Sequence, residues 1–286
     1  MPNFNLITWN IQWGRGCDGV VDLRRIVETA RAMADFDVLC LQEVASNYDT
    51  LPGSRGEDQP SELAQLLPDF NAAYGAATDV PRAAGLRRRF GNIVLSRLPM
   101  GQVFRHLLPW PPDTVPSMQR GLVEAVVLLP FGPVRVMTTH LEYYSATQRA
   151  EQVKRIRDLH ADAARRVFCS KPSDDSGPLD AQPGSASAII TADFNFKPDD
   201  PEHARMMQPY DDATVPQLHD AWEVRYPGIA HPPSIGLYDR VQWPQGAYCC
   251  DFIFVTDDLK ARIVDVRIDQ HTGASDHQPV LLTLAC

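Results

Sequence analysis

The feature that most constrains this chain is a repeated one. Short apolar, β-branched runs recur along it, and several carry at one end a residue able to ionise or hydrogen-bond. Such runs occupy residues 5–11, 37–44, 92–98, 122–129, 134–141, 188–194, 251–256, 263–268 and 279–284. Their length and their Val, Ile and Thr content predict strands. Between some of them the apolar period lengthens to that of a helix. In "DLRRIVETARAM", Leu23, Ile26, Val27 and Ala30 share one face, with Arg24, Arg25 and Glu28 opposite. In "SATQRAEQVKRIRDLHADAARRV", Ser145 is a candidate N-cap and Val153, Ile156 and Leu159 mark an inner stripe. Strands that follow one another directly in places, and through helices in others, predict an α/β fold of mixed sheets with helices outside.

At 286 residues the chain has room for one large α/β domain or two small ones. The stretch 171–187, "KPSDDSGPLDAQPGSAS", is poor in apolar residues and rich in Pro, Gly, Ser and Asp. It reads as a surface loop inserted into a single domain covering 1–286, because strand patterns resume on both sides without a second autonomous set. Residues 47–59 and 79–89 read as shorter excursions of the same kind. The six cysteines show no C-x-x-C spacing, and Cys249 and Cys250 are adjacent, which suits neither a zinc site nor a disulfide framework. The start, "MPNFNLITWNIQW", lacks the pattern of a signal peptide. No run approaches the roughly 18 apolar residues of a membrane span. A reduced, cytoplasmic protein is the expectation.

Five of the runs deliver residues with chemistry in them. "LITWNIQWG" ends near Asn10, "DVLCLQEV" on Glu43, and "VRVMTTHLE" on His140. "AIITADFNFKP" delivers Asp193 and Asn195, and "GASDHQPVLLTL" begins with Asp276 and His277. Residues at strand ends converge on a common rim, where loops on a rigid sheet supply chemistry. Asp193 and Asn195 are two apart, so in an extended chain they point to the same side. Each has a plainer reading alone: Glu43 solvated in a loop, His140 hydrogen-bonded at a rim, "DFN" an Asx turn, Asn10 a cap on the following turn. Their recurrence together carries the functional reading. Carboxylates and an amide oxygen, without cysteine, are hard ligands suited to Mg²⁺, Mn²⁺ or Ca²⁺ rather than zinc. With histidines beside them they fit metal-assisted hydrolysis of a phosphoester.

The ordered set "TWNIQ", "LCLQEV", "GNIVLSR", "TTHLEYYSATQRAEQ", "TADFNFKP", "CDFIFV" and "SDHQPV" resembles the endonuclease/exonuclease/phosphatase superfamily over nearly the whole chain. The resemblance implies a four-layer α/β sandwich of the DNase I-like kind, with two mostly antiparallel mixed sheets face to face and helices outside. It implies a phosphoester hydrolase that uses Mg²⁺, with Mn²⁺ as the alternative. Asn10, Glu43 and Asp276 match the metal-side residues, and His277 the histidine that contacts the scissile phosphate. Asp193 matches the residue that orients or deprotonates the attacking water, with Asn195 beside it holding the phosphate. Asp251 matches the aspartate that hydrogen-bonds the terminal histidine, with a strand-opening turn acid as its plainer reading. His140 matches a phosphate-side donor, while Asn92 and Arg120 match substrate-side positions.

The substrate class is less constrained. Where many relatives carry a basic residue two before the aspartate, this chain has Cys249. The net charge of −9 argues against a protein held on nucleic acid by a general positive field, although a few local phosphate contacts can suffice. The one dense basic run, Arg87 to Arg89, is either a phosphate contact before Asn92 or a solvated loop tip. Trp9, Trp13 and Trp243 are candidates for stacking a ring, although Trp9, inside a strand pattern, reads better as packed core or rim. Two further readings stand beside the hydrolase: a nuclease of the same fold, and a catalytically silent phosphate-binding module.

Overall fold

A computed structural model describes residues 3–169 and 182–286. The nine apolar runs, with three further strands, form two six-stranded sheets. The first runs, in spatial order, β11 (Ile263–Ile268), β12 (Val280–Ala285), β1 (Asn3–Asn10), β2 (Val38–Ser46), β4 (Arg87–Ser96) and β3 (Asn71–Pro81). The second runs β5 (Met100–Leu107), β6 (Gly121–Leu129), β7 (Gly132–His140), β8 (Ala188–Asp193), β10 (Asp251–Thr256) and β9 (Leu218–Asp220). Each sheet holds one parallel pair, β1 with β2 and β7 with β8. A parallel pair needs a long crossover. The amphipathic helices α1 (Leu23–Met33) and α3 (Ala146–Cys169) supply those crossovers.

Strand alternation then sorts side chains into layers. Phe4 and Leu6 of β1, Val38 and Cys40 of β2, Val134 and Val136 of β7, Ile189 of β8 and Ile253 of β10 meet in one core between the sheets. Their neighbours face outward. Ile7 and Leu39 pack against Ile26 and Val27 of α1, and Met137 and Ile190 against Val153 and Ile156 of α3. The result is a four-layer α/β sandwich. Helix α1 begins where the Asp22 side chain accepts from the Arg25 N–H, and α3 where Ser145 Oγ accepts from the Gln148 N–H.

Strands β3, β5 and β9 have no counterpart among the expected runs. All three lie at or next to a sheet edge, where one side meets solvent and the apolar alternation is diluted. Residues 79–89 are correspondingly not a loop excursion. They form the tip of the β3–β4 hairpin, with Asp79 opposite Arg89 and Pro81 opposite Arg87. Of the insertion expected at 171–187, residues 171–181 lie outside the described residues, and 182–187 are irregular. Among the described residues no helix is long and apolar enough to cross a membrane.

Candidate active site

Along the face between the sheets, residue type changes from apolar to polar toward one end. In β1 the inward series is Phe4, Leu6, Thr8, Asn10; in β7 it is Val134, Val136, Thr138, His140; in β8 it is Ile189, Thr191, Asp193. Gln42 seals this transition by donating from Nε2 to Thr8 Oγ1 at 3.0 Å and to Thr138 Oγ1 at 2.8 Å, across the two sheets. Above that layer His140, Asp193 and Asp251 sit side by side, because His140 pairs with Asp193 and Asp193 with Asp251 in register. Glu43 joins them through a bulge in β2 between Leu41 and Val44, with φ of 60° at Glu43 itself. A bulge of this kind re-aims a side chain that regular pleating would send elsewhere.

Asn10 is the hub. Its Nδ2 donates to Glu43 Oε1 at 3.0 Å and to Asp193 Oδ2 at 2.9 Å, while its Oδ1 accepts from the Gln12 N–H at 3.0 Å. Burial pushes the Glu43 carboxyl up to about 7, with the nearby Asp276 charge adding to the rise. Asp193 is raised to about 6, again by burial, with the His277 charge opposing and Asp251 reinforcing. Its Oδ1 accepts from the Asn195 N–H at 3.0 Å. Asp276 Oδ2 accepts from three neutral donors, Gln12 Nε2 and Trp243 Nε1 at 3.1 Å each and Gln242 Nε2 at 3.2 Å. Among the described residues, none of Glu43, Asp193, Asp251 and Asp276 pairs with a lysine or arginine. Their only ion-pair partners are His140 and His277.

The two histidines have opposite electrostatics. His277 Nδ1 lies 2.9 Å from Asp251 Oδ2, and its Nε2 lies 3.5 Å from Asp193 Oδ2. Burial opposes its charge, but Asp251, Asp193 and Asp276 together hold its pKa well above the usual imidazole value. His140 is held well below that value by burial first, then by the Arg120 and His277 charges. Its Nε2 lies 3.4 Å from Asp193 Oδ2, and its buried Nδ1 has no hydrogen-bond partner. The site therefore sets two imidazoles of opposite proton affinity around a single carboxylate. Ligand atoms of Asp193, Cys250, Asp251 and His277 lie within 4.8 Å of one another. Within this group His277 Nδ1 and Asp251 Oδ2 are already engaged with each other at 2.9 Å, and burial pushes the Cys250 thiol well up.

Asn92 and Arg120 line one cleft with His140. Asn92 Nδ2 donates to the Gly121 carbonyl at 2.8 Å. Arg120 Nε donates to Glu142 Oε2 at 3.2 Å, and its buried Nη1 has no partner. Asn195 departs from the extended course expected for it. The strand ends at Asp193, and Asn195 takes φ of 53° with Nδ2 donating to the Leu141 carbonyl at 2.9 Å. The Arg87–Arg89 run is spent on ion pairs, Arg87 and Arg89 with Asp79 and Arg88 with Asp49. Trp9 is fully buried and donates to the His277 carbonyl at 2.9 Å. Trp13 donates to the Pro52 carbonyl.

Residues without a chemical signature in the sequence complete the site. Gln12 follows Asn10 in "TWNIQ", and Gln242 lies in a polar loop. Trp243 stood out only as a candidate ring platform, whereas its indole N–H serves Asp276. Ser234, in "HPPSIG", draws no reading from the sequence but reaches Asp251 Oδ2 at 2.6 Å.

Two facing mixed sheets under outer helices, with acids and histidines at one end of the inter-sheet face, define a DNase I-like α/β sandwich. Solved structures share it. An endonuclease/exonuclease/phosphatase from Beutenbergia cavernae matches with a TM-score of 0.70 at 24% identity, covering 99% of this chain and 72% of that one. A mannosyl-6-phosphatase from Bacteroides thetaiotaomicron matches at 0.62 and 16%, covering 99% and 100%. The human Nocturnin catalytic domain with bound sulfate matches at 0.63 and 15%, covering 99% and 94%. Likeness at these identities shows the fold. Comparison with curated proteins gives no match. The model of the Endonuclease/Exonuclease/phosphatase family matches residues 7–277, and the chain belongs to that family.

Proposed function

We propose that this chain is a divalent-metal-dependent phosphoester hydrolase, with Mg²⁺ the expected ion and Mn²⁺ its substitute. One observation carries the reading: Glu43 and Asp276 are neighbouring acids held close to Asp193, and among the described residues no lysine or arginine pairs with any of the three. Buried like charges of this kind call for a cation, and hard oxygen donors suit Mg²⁺. Glu43 and Asp276 would hold it. Asn10 would fix Glu43 and Asp193 in place through Nδ2, and its Oδ1, which accepts from the Gln12 N–H, keeps a second lone pair that could face the ion. The ion supplies neutralisation of charge on the phosphoryl oxygens.

The chain's own residues supply the rest. Asp193, ionised above about pH 6, orients an attacking water and accepts its proton. The His277 imidazolium donates from Nε2 to a phosphoryl oxygen, with Nδ1 held by Asp251. Neutral His140 and Arg120 line one small cleft with Asn92, from which they would approach the same oxygens. Asn195, locked to Leu141, offers a further polar contact beside Asp193. The ion-paired state of Arg87–Arg89 favours a compact ester over duplex nucleic acid as substrate. The test is hydrolysis of bis-p-nitrophenyl and p-nitrophenyl phosphate with Mg²⁺, with Mn²⁺ and with excess EDTA. Activity is expected only with metal, and Asp193→Asn is expected to abolish it. Turnover that persists in EDTA or in that variant would overturn the mechanism.

A further inference from the structure

Ser234 lies outside every motif of the resemblance, yet it is fully buried between the two segments that carry Asp251 and His277. Its backbone N–H donates to the Tyr248 carbonyl at 2.8 Å, and its carbonyl accepts from the Gln278 N–H at 2.7 Å. The next residue, Ile235, bridges both Tyr248 and His277. One residue thus rivets the start of β10 to the chain just before β12.

The hydroxyl has a defined orientation. Ser234 Oγ accepts from the Cys250 N–H at 3.0 Å and from the Asp251 N–H at 3.1 Å. A hydroxyl has two lone pairs and one proton, so with both lone pairs used the proton is left for Asp251 Oδ2, 2.6 Å away. That is the oxygen 2.9 Å from His277 Nδ1, while Asp251 Oδ1 is buried without a partner. Ser234 therefore selects which carboxylate oxygen faces the imidazole. Through that bond it sets the direction of His277 Nε2, 3.5 Å from Asp193 Oδ2.

The segment is anchored upstream as well. His231 Nε2 lies 2.9 Å from Asp220 Oδ2, which His203 Nε2 also approaches to 2.8 Å, and Asp220 pairs with Phe254 of β10. Only Pro232 and Pro233 separate His231 from Ser234, and their fixed φ keeps that connection stiff. We infer that Ser234 is a positioning residue, the outer member of a Ser234–Asp251–His277 relay that aims His277 at the scissile phosphate. The relay rests on the hydrolase reading above, since it assigns His277 a substrate to face.

Ser234→Ala is expected to lower kcat about ten- to a hundredfold while KM changes less than about threefold. It is also expected to remove the sharp downfield Nδ1–H proton resonance of His277. Ser234→Thr keeps the hydroxyl and is expected to restore both. Ser234→Cys, close in shape but a weak donor, replaces the alanine variant if that chain does not fold. Unchanged kcat with an unchanged resonance in the Ala or Cys chain would overturn the inference, as would a Thr chain no better than Ala. The resonance is read without substrate. A wild-type chain that hydrolyses no ester would therefore sink the hydrolase reading and leave the relay measurable.

Discussion

Replacing Glu43 by glutamine should stabilise the metal-free protein while removing its function. The glutamine is nearly isosteric, and its carbonyl oxygen can still accept from Asn10 Nδ2, as Glu43 Oε1 does at 3.0 Å. What it removes is the charge. The Glu43 carboxyl is raised by burial from 4.5 to about 7 in the fold, so the folded state prefers it protonated. Below the unfolded-state pKa both states are protonated and the residue is neutral toward stability. As pH rises past that value the unfolded chain releases the proton first, and the folded state loses ground until about pH 7. At roughly 1.4 kcal/mol per pH unit, the full penalty would be about 3.5 kcal/mol. The side chain retains 16% exposure, and solvent screening trims the figure to about 2 kcal/mol. The Glu43→Gln chain in EDTA at pH 8 should therefore melt about 4 °C above wild type, with the gap closing toward pH 4. Added Mg²⁺ should raise the wild-type melting temperature and leave the variant unmoved. A variant that melts below wild type in EDTA at pH 8, or a gap independent of pH, would refute the reasoning.

Two further outcomes follow from contacts at the rim and in the sheet. Arg120→Met combined with Glu142→Gln, which avoids stranding the buried Glu142 charge, should lower kcat/KM by about ten- to a hundredfold in steady-state assays. Gly91→Ala would place a Cβ 2.0 Å from the Gly75 carbonyl oxygen on the neighbouring strand. Such overpacking should cost about 2–3 kcal/mol, read as a lower urea midpoint, because β4 must pull away from β3.

The legible parts of the molecule are those where one residue's chemistry follows from its neighbours in the chain. Val134, Val136, Thr138 and His140 alternate on one face, so the run that predicts a strand also delivers the histidine to the end of that face. The same holds for Ile189, Thr191 and Asp193. Interior strands are buried on both sides and read clearly, whereas edge strands such as β3 mix exposed and buried positions and read as loop. Ser234 and Gln242 were illegible for a different reason. Their partners, Asp251 and Asp276, are 17 and 34 residues away, and no local pattern marks a polar loop residue as buried. Asn195 shows a third limit, because its direction depends on where the strand ends, and that is set by a hydrogen bond to Leu141.

The electrostatics of the site also explain how an acidic chain can be built to receive an anion. Among the described residues Glu43, Asp193, Asp251 and Asp276 meet no lysine or arginine, and Asp276 is satisfied by an indole and two amides. Neutral donors orient a carboxylate without cancelling its charge, so the acids stay available to a cation. The positive groups beside them are His277 and Arg120, and Arg120 is already paired with Glu142. Without a cation the acids would repel a phosphate more strongly than these two groups attract it. With one bound between Glu43 and Asp276, the sign of the local field reverses. On the proposed function, metal and substrate affinity are therefore linked, and each should tighten the other by the same factor. On the same proposal the net charge of −9 would keep stray polyanions off the surface, while the reversal of field would be confined to the proposed site.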